Sequence, residues 1–142
     1  MEVEPLLKQV SPDTVLGREF LSETAAMLRL AVWMAYDTGR HGLAQRYMVK
    51  ALMLAREAGN RMLGGRILAG MSHQANYLGH YGAAVNLARA ARMGADGAAT
   101  PTAMALFHAM EARALASQGD EARALGEAEP WFERRVPEDD PV

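Results

Sequence analysis

Apolar residues fall into helical patterns along most of the chain, and polar residues occupy the positions between them. Alanine, leucine and methionine, which are strong helix formers, supply most of the apolar positions. Glycines and Ser/Thr-Pro steps interrupt the patterns. The sequence therefore predicts an all-α fold of about six helices, over residues 12–38, 41–58, 60–78, 81–94, 101–118 and 120–134.

A glycine recurs with a period of forty positions, and an alanine follows each of these glycines five positions later. The glycines are Gly39, Gly79 and Gly119, and the alanines are Ala44, Ala84 and Ala124. A glycine just past a helix supplies the left-handed conformation that ends it, and small alanines let the following helix approach closely. The repeat predicts three antiparallel helix pairs stacked on one another, because one pair cannot bury its apolar face alone.

Capping residues, prolines and further glycines refine the predicted helix boundaries. Ser11-Pro12 and Thr100-Pro101 each predict a helix start, with the hydroxyl residue as N-cap and proline at the first helical position. Gly59-Asn60 predicts a helix end followed by a cap for the next helix. Gly17 could interrupt the long first helix, and Gly64-Gly65 is interpreted as a site of close helix packing.

The spacing of Gly39, Ala44 and Ala51 within AYDTGRHGLAQRYMVKAL resembles the turn and second helix of the tetratricopeptide repeat. The resemblance covers about residues 22–129 and implies a right-handed solenoid, whose helices are lengthened to match the period of forty. The run GRHGLAQRYMVKALMLAREAGNRMLGGRILAGMSHQANYLGH also resembles the C-terminal repeat region of actinobacterial helix-turn-helix transcriptional regulators. The resulting organisation is an N-terminal extension (1–11), a tetratricopeptide-like helical-repeat domain (12–135) and an acidic C-terminal tail (136–142).

Composition narrows the function. The 142 residues suit one domain, and the absence of cysteine excludes disulfides and thiolate chemistry. Net charge is −2, and the first 119 residues carry 12 basic and 9 acidic side chains, which is too little positive charge for a dedicated nucleic-acid binder. No signal peptide or membrane span is predicted. We therefore expect a cytoplasmic protein with no direct nucleic-acid or membrane partner.

In tetratricopeptide proteins the first helix of each pair lines a concave groove. The resemblance carries this groove onto eight residues of this chain, which are Arg29, Trp33, Tyr36, Arg66, His73, Asn76, Tyr77 and Arg113. Trp33, His73 and Arg113 are separated by one full period each and so occupy equivalent positions. Aromatic and arginine side chains are common binding anchors, and arginine can clamp a carboxylate. Alternatively, Trp33 and Tyr36 fill gaps between helix layers.

Methionine is abundant, and the sequence predicts that those within helical patterns fill the core. They are Met27, Met34, Met48, Met53, Met62, Met71, Met104 and Met110.

The leading functional prediction is a non-catalytic, regulatory binding module that takes a peptide or protein segment, or an acidic or aromatic small ligand. It needs no cofactor. The alternative is a self-associating scaffold or oligomerisation domain of a transcriptional regulator, with Trp131 and Phe132 buried between two copies of a homodimer. The long first helix could also mediate this self-association. A small enzyme is less favoured, because no nucleophile–base arrangement is visible. His73 and His80, seven positions apart, do not suit one metal ion.

Overall fold

A computed structural model describes residues 4–124, and their side chains as far as Asp120. The elements are α1 (Glu4–Leu7), α2 (Val15–Asp37), α3 (His41–Glu57), α4 (Arg61–Tyr77), α5 (Tyr81–Gly94) and α6 (Pro101–Ala124). No strand occurs within residues 4–124, which confirms the all-α class. None of the helices in this range is long and apolar enough to cross a membrane.

At the first three turns between helices, the glycine adopts the predicted left-handed backbone conformation. Gly39, Gly59 and Gly79 have φ values of 75°, 67° and 82°, so the chain turns at regular intervals of half a period. At the first turn the Arg40 N–H donates to the Ala35 carbonyl oxygen at 2.8 Å, which closes a six-residue ring. The same bond recurs at the other two glycines. These bonds satisfy carbonyl groups that a helix end otherwise leaves without donors.

Two predicted N-caps are confirmed. The Asn60 side chain accepts a hydrogen bond from the Leu63 N–H at 3.1 Å at the start of α4. The Thr100 hydroxyl accepts one from the Ala103 N–H at 3.2 Å, and α6 begins at Pro101.

The prediction that Gly119 ends a helix is wrong. Gly119 lies inside α6, which continues to Ala124, and its φ is not positive. A helix tolerates an interior glycine at a cost of about 1 kcal/mol, and a Cβ at Gly119 would meet none of the side chains described as far as Asp120 within 4 Å. The break between the predicted helices 101–118 and 120–134 is therefore absent. The rest of the sixth predicted helix, with Trp131 and Phe132, and the tail 136–142 lie outside the described residues.

The start of α2 also differs from the prediction, because its N-cap is Thr14 rather than Ser11. The Thr14 hydroxyl accepts a hydrogen bond from the Gly17 N–H at 2.9 Å, and Ser11 forms a turn just before it. Gly17 does not interrupt the helix. A Cβ there would lie 1.8 Å from the Ser11 carbonyl oxygen, so only glycine fits under that turn. Within the predicted N-terminal extension, α1 contributes Leu7 to the core.

The main packing partners are neighbours in sequence. The largest helix contacts are α2 with α3, α4 with α5, and α5 with α6. Ala44, Ala51, Ala84 and Ala91 are fully buried, which confirms the close approach expected of small residues. One core cluster joins α2 and α3 to Ile67 of α4.

A second cluster joins α4, α5 and α6 around Phe107, which is fully buried. A Cβ at Gly65 would lie 2.9 Å from the Phe107 ring, so this glycine serves close packing as predicted. On the surface, Glu111 of α6 pairs with Arg89 at 3.0 Å and Arg92 at 2.7 Å of α5. These two hydrogen bonds lower the pKa of Glu111, with Arg92 as the larger cause.

The prediction that the methionines fill the core is only partly correct. Met48 is buried, but Met27, Met34 and Met53 expose more than half of their side chains. Helical periodicity alone cannot show which apolar side of a helix faces a neighbour.

Candidate functional site

Residues of α2, α3, α4 and α6 line an open cavity of about 520 Å³. Four of the predicted groove residues line it, which are Arg29, Trp33, Arg66 and His73. Its floor is apolar and is formed by Val32, Met48, Ile67, Leu106 and Met110, among others. The volume lies within the usual range for small-molecule sites of ~300–1,000 Å³.

The repeat spacing brings equivalent residues into contact. The Trp33 and His73 ring centroids are 6.1 Å apart, and Arg113 Nη1 is 3.0 Å from His73 Nδ1. The three residues at equivalent repeat positions therefore form a continuous row across α2, α4 and α6. Trp33 is 41% exposed, so it belongs to the open surface and not to the gaps between helix layers.

The surroundings of His73 favour its neutral form. Partial burial lowers its pKa, and the positive charge of Arg113 lowers it further. A guanidinium can only donate hydrogen bonds, so Nδ1 accepts the one from Arg113. The remaining proton then resides on Nε2, and the imidazole can offer that N–H to a ligand.

The other predicted aromatic residues form a cluster beside the cavity and not within its lining. The ring centroid of Tyr36 lies 5.6 Å from that of Tyr77 and 6.5 Å from that of His73. Burial raises the pKa of the Tyr36 hydroxyl, with smaller contributions from Tyr77 and Asp37. This cluster extends the site along α2 and α4 towards their carboxyl ends.

His41 was not among the predicted site residues, yet its ring centroid lies 5.1 Å from that of Tyr36. His41 is the first residue of α3, and its position after the Gly39 turn is the signal that could have identified it. Met48, Thr102 and Met110 were also missed as lining residues. Met48 and Met110 were predicted to fill the core, and Thr102 was not among the predicted groove residues.

Several polar groups at the site have no partner among residues 4–120. Arg29 Nε, His41 Nδ1 and Asn76 Oδ1 are each buried without a hydrogen bond inside this range. Buried polar atoms are normally paired, so each of these requires an explanation. Arg29 is the most informative, because its side chain also lines the cavity.

The charge of the site is one-sided. None of the described residues that line the cavity is acidic, whereas Arg29 and Arg66 both line it. Arg113 adds a third guanidinium next to His73. The site therefore favours an anionic group over a cation. No cluster of three metal-ligating side chains occurs within the described part of the chain.

Comparison of the chain with protein-family models, with curated protein sequences and with solved structures gave no match.

Proposed function

We propose that this chain is a non-catalytic binding module whose cavity takes a small molecule, or the end of a peptide segment, that joins a carboxylate to an apolar or aromatic body. The observation that carries the proposal is Arg29, a cavity-lining arginine with a buried Nε that has no partner among residues 4–120. A ligand carboxylate would supply the missing acceptor once the Arg29 side chain turns its Nε towards the cavity.

The remainder of the lining supports the same ligand class. Arg66 is exposed beside the cavity and can complete a two-point clamp on the carboxylate. Trp33 offers an aromatic face, and the apolar floor would accept a ring or an aliphatic chain. His73 can add a hydrogen bond from Nε2.

We further propose a tetratricopeptide-like solenoid, in which α2 with α3 and α4 with α5 are antiparallel pairs and α6 follows them. The three-residue turns and the dominant contacts between these neighbours support this arrangement. A regulatory role rests on the resemblance to the repeat regions of actinobacterial regulators.

The direct test is isothermal titration calorimetry with 2-naphthoate and its uncharged counterpart 2-naphthamide, and with a Phe-ended tripeptide with a free or an amidated carboxyl end. We expect each carboxylate to bind at least about tenfold more tightly than its amide, because a hydrogen bond to a charged group contributes about 1.5–3 kcal/mol. Equal binding of acid and amide would contradict the arginine clamp. Failure of all four probes to bind would contradict the ligand class.

Variants locate the binding. Arg29→Ala and Arg66→Ala should each weaken 2-naphthoate by about tenfold and leave 2-naphthamide nearly unchanged. Trp33→Ala should weaken both probes, since it removes the aromatic face. Arg56→Ala is the matched control, because Arg56 is an exposed arginine of α3 that does not line the cavity. Circular dichroism should show unchanged helicity in all four variants.

A further inference from the structure

The outer side of α2 carries a regular row of exposed residues, which we call the seam. It consists of Leu16, Phe20, Glu23, Met27, Leu30 and Met34. Its five apolar members expose between 37% and 77% of their side chains, and Glu23 is exposed as well. The α3-facing side of the same helix holds the buried residues Leu21, Ala25, Leu28 and Val32. The seam is thus a second apolar face, and no described element covers it.

The spacing of the seam is specific. Successive members are separated by four, three, four, three and four positions. This is the heptad spacing that keeps one side of a helix against a single partner helix in a coiled coil. An apolar face of a surface helix that merely tolerates exposure has no reason to keep this alternation over most of the helix, from Leu16 to Met34.

The seam is complementary to itself when two copies of α2 run in opposite directions. With the two-fold axis beside residue 25, Leu16 faces Met34 of the second copy, and Phe20 faces Leu30 of the second copy. Glu23 then faces Met27 of the second copy and can extend its carboxylate to solvent. Every residue of one heptad class meets a residue of the other class, as a two-fold interface requires.

A parallel arrangement of the same helices is disfavoured. It would place Glu23 directly opposite Glu23 of the second copy in a buried layer. Two like charges in that position repel each other and lose hydration. The single charged member of the seam therefore selects the antiparallel orientation.

The size of the seam fits a weak dimer. Five large apolar side chains that bury about 100 Å² each give about 500 Å² per copy, or about 1,000 Å² in total. This is the lower limit for a specific interface, and it is typical of transient association. The exposed patch of about 500 Å² on each copy is also at the upper end of what monomeric proteins leave uncovered.

We propose that the chain forms an antiparallel, two-fold homodimer through the α2 seam, with a dissociation constant in the micromolar range. The proposal does not depend on the cavity or on its ligand.

Sedimentation equilibrium of the full chain between about 2 and 500 μM tests the association. We expect a monomer–dimer equilibrium. Leu30→Glu should make the chain monomeric throughout this range, and Glu23→Leu should strengthen the dimer at least tenfold by completing the seam. Met93→Glu is the matched control, because Met93 is 63% exposed on α5 outside the seam, and it should leave the equilibrium unchanged. Circular dichroism should show that each variant keeps its helicity.

The absence of cysteine allows a clean test of orientation. When Phe20→Cys and Leu30→Cys variants are mixed and oxidised, the antiparallel pairing predicts the mixed disulfide in preference to either homodimer. Within one variant, the two thiols would be about 15 Å apart along the helices, too far for a bond.

Three results would overturn the proposal. They are a monomer at all concentrations, a dimer that Leu30→Glu leaves intact, and efficient homodimer disulfides from Leu30→Cys alone. The last result would indicate parallel helices.

Discussion

At the scale of single residues, Gly65 shows how closely α4 approaches α6. Replacement by alanine would bring a Cβ within 2.9 Å of the fully buried Phe107 ring and 3.0 Å of Ala95. Neither neighbour can move freely, so we expect Gly65→Ala to destabilise the protein by about 1–3 kcal/mol. Urea unfolding followed by circular dichroism measures the change.

The neighbouring glycine provides the control for this prediction. A Cβ at Gly64 would meet only the end of Leu52, at 3.9 Å. Gly64→Ala should therefore be neutral or stabilise the protein by up to about 1 kcal/mol, because alanine restricts the unfolded chain. Similar destabilisation by both substitutions would show that close packing is not the cause.

At the scale of helices and turns, Gly79 and Gly119 occupy equivalent positions in successive repeats. Replacement of each by alanine should nevertheless change the stability of the protein in opposite directions. Gly79 has a φ of 82° with open space around its Cα, so Gly79→Ala costs only backbone strain, about 1–2 kcal/mol. Gly119 lies inside α6, so Gly119→Ala should stabilise the protein by up to about 1 kcal/mol. Thermal and urea unfolding measure both. Destabilisation by Gly119→Ala would contradict a continuous α6.

The glycines Gly39, Gly79 and Gly119 show which helix ends could be predicted from the sequence. The ends of α2 and α4 are decided by local chemistry at Gly39 and Gly79, and local chemistry is readable in sequence. Gly119 looks identical in the repeat. It nevertheless stays helical, because a glycine permits the left-handed conformation that ends a helix but does not require it. The start of α2 was missed for a different, local reason, since two hydroxyl residues compete for the cap: Ser11 bonds within its own turn and leaves the cap to Thr14.

At the scale of the whole molecule, the contact row of Trp33, His73 and Arg113 joins three helices, and we expect it to make the stability of the protein depend on pH. The unfolded imidazole titrates near pH 6.5, whereas burial and Arg113 lower the pKa of His73 in the folded protein. Between these two values the unfolded chain binds more protons, so stability rises with pH. The contribution of neutral His73 is complete above pH 6.5 and is lost as pH falls through the folded pKa.

Urea unfolding of the native chain and of His73→Gln, at intervals from about pH 7.5 to 5, measures this dependence. Glutamine keeps an acceptor for Arg113 and cannot titrate in this range. We expect the native chain to lose stability faster than the variant below pH 6.5. Parallel curves for the two proteins would contradict a lowered pKa for His73.

Part of the candidate site could be predicted from the repeat in the sequence. Residues at equivalent repeat positions share a face, and this places Trp33, His73 and Arg113 in one row. The cavity also needs Met48 from α3 and Met110 from α6, whose roles depend on how the helices pack. The first helix was considered for self-association, but its seam residues were not identified. Met27 and Met34 show the same periodicity as core residues, and only the packing reveals that they face outward.

The three-residue turns at Gly39, Gly59 and Gly79 also affect how quickly the structure can form. Each of the helices α2 to α6 contacts most extensively a helix that directly precedes or follows it, so most contacts within residues 4–124 join parts of the chain that are close in sequence. The loop-closure entropy of such contacts is small, and folding rates rise as contacts become more local. We therefore expect this chain to fold on the microsecond-to-millisecond timescale of helical bundles, with each turn able to start a hairpin before the remainder of the molecule has assembled.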